Sequence, residues 1–342
     1  MKKLQKEFNE FDDKIRIDGE TPALIKKREM LKEDIEDNFP AECEKYGISV
    51  NKSDLRFILQ GSYKIGTTIS NEEKGVDMDY AVILPLDINE HTDSRDVKKA
   101  ARDALEIPNV RIPSIKEPCV TVAYHSTGKE TMHIDFPIYA SYNNQLYLAR
   151  GKENSKDYLW EIADPEGLNE YFIEKFKDYP QLRRLVRYIK KWKQEQYKDS
   201  INTHEVPPSV ALTILACQNY KPYVADGDDD LQSFYYTMKA IYELFNVKTD
   251  SNNEVVSASI ECSLPVTPFS DVFYKMRTSS KHMITFYKRL GSAVFNLQEA
   301  VNLAEAHEAA KYVQKVLGSD FDIPEKQTST ANTINKKEYS FG

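Results

Sequence analysis

The sequence predicts an α+β protein in which a mixed sheet with flanking helices is followed by a helical domain. Three observations carry this expectation. Between residues 56 and 149 the chain is dominated by short apolar or alternating runs, the pattern of strands. From about residue 165 the apolar residues recur at the three- and four-residue spacing of amphipathic helices. After Ile323 the chain is too polar to pack a core. The expected divisions are 1–165, 166–323 and a flexible tail over 324–342.

Thr21 before Pro22 reads as an N-cap with proline at the first helical position, and Leu24, Leu31 and Ile35 then recur at helical spacing toward Phe39. A long helix from 22 to the mid-forties follows. Five runs read as strands: 56–60, 78–86, 119–125, 132–140 and 146–149. Val97, Ala101, Ala104 and Leu105 place a helix over 94–107, and residues 126–129 (Ser-Thr-Gly-Lys) read as a turn. In the second half, helices are expected over 181–197, 209–220, 232–245 and within 271–317.

Composition narrows the function. A net charge of −8 and a pI near 5.5 argue against tight binding of long nucleic acid, which draws most of its strength from neutralising phosphates. Small anionic substrates need only a local basic cleft. No apolar run approaches the roughly 18 residues of a membrane span, and the charged N-terminus lacks a signal-peptide core, so a cytoplasmic protein is expected. The four cysteines lie far apart without a C-x-x-C pair and read as reduced core residues.

Chemistry concentrates between residues 60 and 135. Side chains at i and i+2 of a strand share a face, so Asp77 and Asp79 project together while Val76, Met78 and Tyr80 face the other way. Paired carboxylates repel unless a cation sits between them, and hard divalent ions such as Mg²⁺ bridge carboxylates to substrate phosphates. Asp135, flanked by apolar residues in a later strand, can join the same spot. Three carboxylates suffice for two metals about 4 Å apart. Gly61 and Ser62 close the first strand, where backbone N–H groups and a hydroxyl can hold a triphosphate.

At these residues the chain resembles the DNA polymerase β-like nucleotidyltransferases. Within that superfamily, Gln60-Gly61-Ser62 with Gly66-Thr67, Asp77-x-Asp79 and Asp135 is similar to the CD-NTases, the branch of cyclic GMP-AMP synthase and bacterial dinucleotide cyclases. The resemblance covers about residues 1–318 and is strongest over 57–138 and 182–216. It implies two Mg²⁺ ions, with Mn²⁺ as an alternative, on Asp77, Asp79 and Asp135, the last also helping to deprotonate an acceptor hydroxyl. Ser62 would bind phosphate beside Gln60 and Gly61. Lys190 and Ser209 would grip the donor triphosphate from across the cleft. Val210 departs from the pattern, because relatives often place a base-stacking aromatic there. The implied reaction joins nucleoside triphosphates (ATP, GTP or pyrimidine nucleotides) into a cyclic second messenger for bacterial anti-phage signalling. The alternative is transfer of a nucleotide to RNA ends, a protein or a small molecule by the same core; a binding module with a dead site fits poorly, because all three carboxylates are present.

Three further features are weighed alongside. Residues 171–198 hold nine Lys or Arg against three Asp or Glu, with Leu182, Leu185, Val186, Ile189 and Trp192 as one apolar stripe. A solvated cationic face competes there with phosphate contact. Asp226, Asp228, Asp229 and Asp230 suggest a calcium loop, but Thr237 stands where an EF-hand needs glutamate, so a solvated helix start is expected. His125, His133 and His204 lack metal-ligand spacing and a nucleophile partner. The sequence ends in Glu-Tyr-Ser-Phe-Gly, and by resemblance to bacterial relatives Gly342 is a candidate for joining to another molecule by a ubiquitin-like conjugation enzyme.

Overall fold

The structure, a computed structural model, describes residues 3–17, 22–70, 75–126, 129–224 and 227–326. Thr21, the centre of the expected turn at 127–128, Asp226 and the tail with Gly342 lie outside the described residues.

Helices α1 (Gln5–Ile15) and α2 (Pro22–Glu44) precede strand β1 (Arg56–Gln60), a single turn α3 (Gly61–Lys64) and the long strand β2 (Val76–Pro85). Helix α4 (Arg95–Leu105) leads to β3 (Ser114–Ile115), β4 (Val120–Ser126) and β5 (Lys129–Phe136), then β6 (Ile138–Tyr142), β7 (Gln145–Arg150) and β8 (Leu159–Ala163). The single strand expected over 132–140 is two, because Pro137 lacks the N–H a ladder requires. All eight strands form one mixed sheet ordered β3-β4-β5-β2-β6-β7-β8, with β1 on β2.

Alternation along β2 sorts its residues by face. Met78, Tyr80, Val82 and Leu84 are buried with Leu31, Ile35 and Phe39 of α2 and Val97 and Ala101 of α4. Each of the larger aliphatic and Phe side chains among them contributes about 1.5–3 kcal/mol on full burial. Asp77 and Asp79 are therefore left on the opposite face.

The second half holds α5 (Pro165–Asp178), α6 (Pro180–Gln196), α7 (Ser209–Asn219), α8 (Asp230–Glu243), a hairpin of β9 (Asn246–Thr249) and β10 (Val255–Ser259), then α9 (Ser280–Asn302) and α10 (Ala306–Leu317). The sequence pattern does not predict the hairpin. Nor does it predict α1, whose Phe8, Phe11 and Ile15 enter the core of the helical half although α1 stands first in the chain. Phe321 closes that core from the other end of the described chain, its ring 5.0 Å from Phe8 and 5.4 Å from Phe11. All four cysteines are buried and free. Among the described residues no helix is long and apolar enough to cross a membrane.

The cationic helix departs from a solvated face. Arg187, Lys190 and Lys191 of α6 are all buried, because neighbouring elements supply acceptors on every side. Arg187 makes a bidentate pair with Asp12 of α1 at 2.7 and 2.6 Å, and Lys191 reaches Asp320 at 2.6 Å. Arg184 binds Asp230, a fully buried residue that also accepts from Gln181 and Tyr188. The described part of the acidic run is thus a helix start, with Asp229 capping α8 through Gln232 N, and its Asp229 and Asp230 are buried rather than solvated.

Candidate active site

Register across the sheet builds the site. Thr121 of β4 lies opposite Asp135 of β5, Asp135 opposite Asp79 of β2, and Asp79 opposite Gln60 of β1. These four side chains form a row across four strands. In the next row on the same face, His133 of β5 lies opposite Asp77 of β2. The parallel pairing of β2 with β5 is what brings these distant parts of the chain into adjacent places, and neither segment alone encodes it.

Each member of the array has defined contacts. Thr121 Oγ1 donates to Asp135 Oδ1 at 2.5 Å, and Lys116 Nζ stands 3.6 Å from the same oxygen. His133 Nε2 lies 2.9 Å from Asp77 Oδ1. That hydrogen bond, stronger than the opposing effect of burial, raises the imidazole to about 9. Burial first, and then the charges of Asp77 and Asp135, push the Asp79 carboxyl up to about 8. Tyr139 OH donates to Gln60 Oε1 at 3.2 Å.

One ligand atom each from Asp77, His133 and Asp135 falls within 4.8 Å of the others. The residues fit a divalent cation through the chemistry of the donor set, carboxylate oxygens from two neighbouring strands gathered in one place. His133 is the residue that spacing rules for metal-binding histidines pass over. Its signal is alternation itself, since His133 and Asp135 occupy i and i+2 of one strand just as Asp77 and Asp79 do.

Gly61 takes φ +68°, and a Cβ there would stand 2.3 Å from Asp79 Oδ2. The turn therefore approaches the carboxylates at a distance only glycine permits. Ser62 Oγ is 3.0 Å from Thr68 Oγ1. Helix α6 fastens the far end of this loop: Arg187 donates to Gly66 O at 2.8 Å, and Lys190 Nζ donates to Thr67 O and Oγ1 at 3.0 and 2.9 Å. Burial, and then the charge of Lys193, lowers the Lys190 ammonium to about 7, while Asp77 and Asp79 act to raise it. Lys190 thus sits within electrostatic reach of the carboxylate array.

Ser209 opens α7 as expected, but its hydroxyl accepts from Lys193 rather than from Lys190. Lys193 lies one helical turn beyond Lys190, and nothing in the local sequence marks it out from the other cations of α6. The array, the Gly61 turn, Lys190 and Ser209 are thereby linked through the 61–68 loop and α6.

Residues 55–139, which span β1 to β6 and hold every carboxylate of the array, match the family described as Cyclic GMP-AMP synthase DncV-like, nucleotidyltransferase domain. Over those residues the chain is similar to the DncV-like nucleotidyltransferases. It is 32% identical over 201 residues to the cyclic GMP-AMP synthase of Escherichia albertii, a match taking in 56% of this chain and 42% of that relative's length. The matched part is thus less than half of the curated relative. The likeness in fold extends further than the sequence match. A crystal structure of Vibrio cholerae DncV cyclic AMP-GMP synthase with the linear intermediate 5′ pppA(3′,5′)pG superposes with a TM-score of 0.69 at 16% identity, covering 94% of this chain and 96% of that one. The 3′-deoxy GTP-bound form of Escherichia coli DncV gives 0.65 at 16% identity, covering 90% and 93%. At such identity the likeness establishes the shared fold, including the helical half.

Proposed function

We propose that this protein acts as a CD-NTase, condensing nucleoside triphosphates into a cyclic di- or oligonucleotide second messenger and releasing pyrophosphate, and that the product serves anti-phage signalling. The observation that carries the reading is the carboxylate array of Asp77, Asp79 and Asp135 lying against the Gly61 turn. An anion held by that turn is forced close to the carboxylates, which is tolerable only if cations stand between them.

Mg²⁺ ions on Asp77, Asp79 and Asp135 would supply positive charge to the attacking hydroxyl and to the departing pyrophosphate. The chain's own residues do the rest. The N–H groups of the turn and Ser62 Oγ hold the donor phosphates. Lys190 and the Lys193–Ser209 pair close on them from α6 and α7, and a phosphate raises the ammonium that burial has lowered. Asp135 accepts the proton of the acceptor hydroxyl as its oxygen bonds to the α-phosphorus and the bond to pyrophosphate breaks. A second such transfer closes the ring. Catalysis is then chiefly positioning and charge stabilisation.

The test is mass spectrometry of the products formed from all four nucleoside triphosphates with Mg²⁺. A phosphatase-resistant cyclic product is expected. Label found only on added RNA or protein would overturn the reading in favour of transfer to another acceptor.

A further inference from the structure

We infer that His133 is a positioning residue that holds Asp77 in its metal-binding orientation through an Nε2–H···Oδ1 hydrogen bond. The inference rests on the reading of Asp77, Asp79 and Asp135 as a divalent-metal seat. It adds a residue that the three-carboxylate pattern leaves out.

The two partners differ in how firmly the fold holds them. The Asp77 side chain is 51% exposed, whereas that of His133 is only 12% exposed. An exposed carboxylate at the solvent end of the array has several rotamers open to it, and choosing one costs free energy each time a cation binds. A packed imidazole donating at 2.9 Å removes that choice in advance. Asp135, in the adjacent row, has the same kind of support, since Thr121 donates to it from the next strand. Both outer carboxylates of the array therefore have a hydrogen-bond donor at their backs, as ligating side chains commonly do.

Positioning accounts for the geometry better than ligation does. To donate to Asp77, Nε2 must carry the proton, so its lone pair is not offered to a cation at that atom. Hard cations that bind beside phosphates also favour oxygen over imidazole nitrogen.

Mn²⁺ binding to the full chain without nucleotide, read by electron paramagnetic resonance of the free ion, tests the inference apart from turnover. His133→Leu removes the donor and should weaken Mn²⁺ binding about 10-fold or more, the usual lower bound for losing such support. His133→Gln places an amide N–H at similar reach and should restore most of the affinity. If His133→Leu does not fold, His133→Asn, whose amide stops short of Asp77, takes its place with the same expectation. Equal affinity in wild type and His133→Leu, or equal loss in the Leu and Gln variants, overturns the positioning role. A nitrogen hyperfine coupling to bound Mn²⁺ that His133→Gln abolishes shows direct ligation and overturns it as well. Failure of the metal reading itself looks different: wild type and Asp77→Asn would then bind Mn²⁺ alike, and the inference falls with it.

Discussion

Gly61 and Asp79 lie so close that an ideal Cβ on residue 61 would stand 2.3 Å from Asp79 Oδ2. Strand β1 ends opposite Asp79 in register, and the turn that follows folds directly over the carboxylate. The spacing between the Gly61 turn and the carboxylate array is thereby fixed by one missing methyl group.

Gly61→Ala should accordingly cost more than its backbone strain. Gly47 has a similar φ of +72° but nothing within 4 Å of where its Cβ would stand, so Gly47→Ala isolates the strain alone, about 1 kcal/mol. Gly61→Ala is expected to lower nucleotide turnover at least about 100-fold through displacement of Asp79, while Gly47→Ala leaves turnover near wild type. Parallel turnover and denaturant measurements on the two variants check this, and equal effects would contradict it.

Asp77→Asn with Asp79→Asn should leave the fold intact and abolish product, because the amides keep the shape and lose the charge that divalent ions require. Circular dichroism and product assay on the double variant provide the measurement. Retained turnover with Mg²⁺ as the only metal would overturn the site assignment.

Stability without divalent ions should depend on pH through Asp79. Its carboxyl is raised to about 8 in the folded chain from an ordinary 3.8. The folded protein thus keeps a proton that the unfolded chain has already released, and stability is lost as pH rises through that interval. In chelator, the difference in stability between wild type and Asp79→Asn should widen against wild type between pH 5 and 8, by on the order of 4 kcal/mol. Added Mg²⁺ should close it. Thermal melts across that range settle the sign.

Lys190 is buried rather than part of a solvated cationic face, and its burial changes what its loss should do. Lys190→Ala leaves a cavity and strips Thr67 of its donor, so destabilisation of about 2 kcal/mol or more is expected. Lys190→Met keeps the volume and should be milder. Both should raise the KM for the donor triphosphate about 10-fold or more, since the charge-assisted phosphate contact proposed for Lys190 is lost in each. Wild-type KM in Lys190→Met would make the residue purely structural.

Glu117 ties the sheet to the helical half. Burial disfavours its charge, but hydrogen bonds from Lys275 and Arg150 outweigh that and hold the carboxyl at about 2. The folded value lies below the unfolded one, so this contribution is present above about pH 4.5 and fades as pH falls toward 2. The side chain is 38% exposed, so solvent screening limits the effect, and Glu117→Gln should cost about 1 kcal/mol or less at neutral pH. High salt should shrink the cost further in denaturant titrations.

Most secondary elements and the acidic components of the candidate site are legible in the chain without its fold. Period-two alternation puts Asp77 and Asp79 on one face, and the apolar residues flanking Asp135 place it in a strand, because those patterns are local. Which strands are neighbours, and in what register, is a property of the folded molecule. Parallel pairing of β2 with β5 sets His133 beside Asp77 and Asp135 beside Asp79, and no local pattern in either strand specifies the partner. The same holds for α6, whose cations read as a solvated face until Asp12, Thr67 and Asp320 arrive from segments far away in the chain to meet them. Helix α1 shows the limit most plainly: eleven residues at the start of the chain are drawn into the core of its far half, because burial of Phe8 and Phe11 depends on the space the other helices leave, not on distance along the sequence.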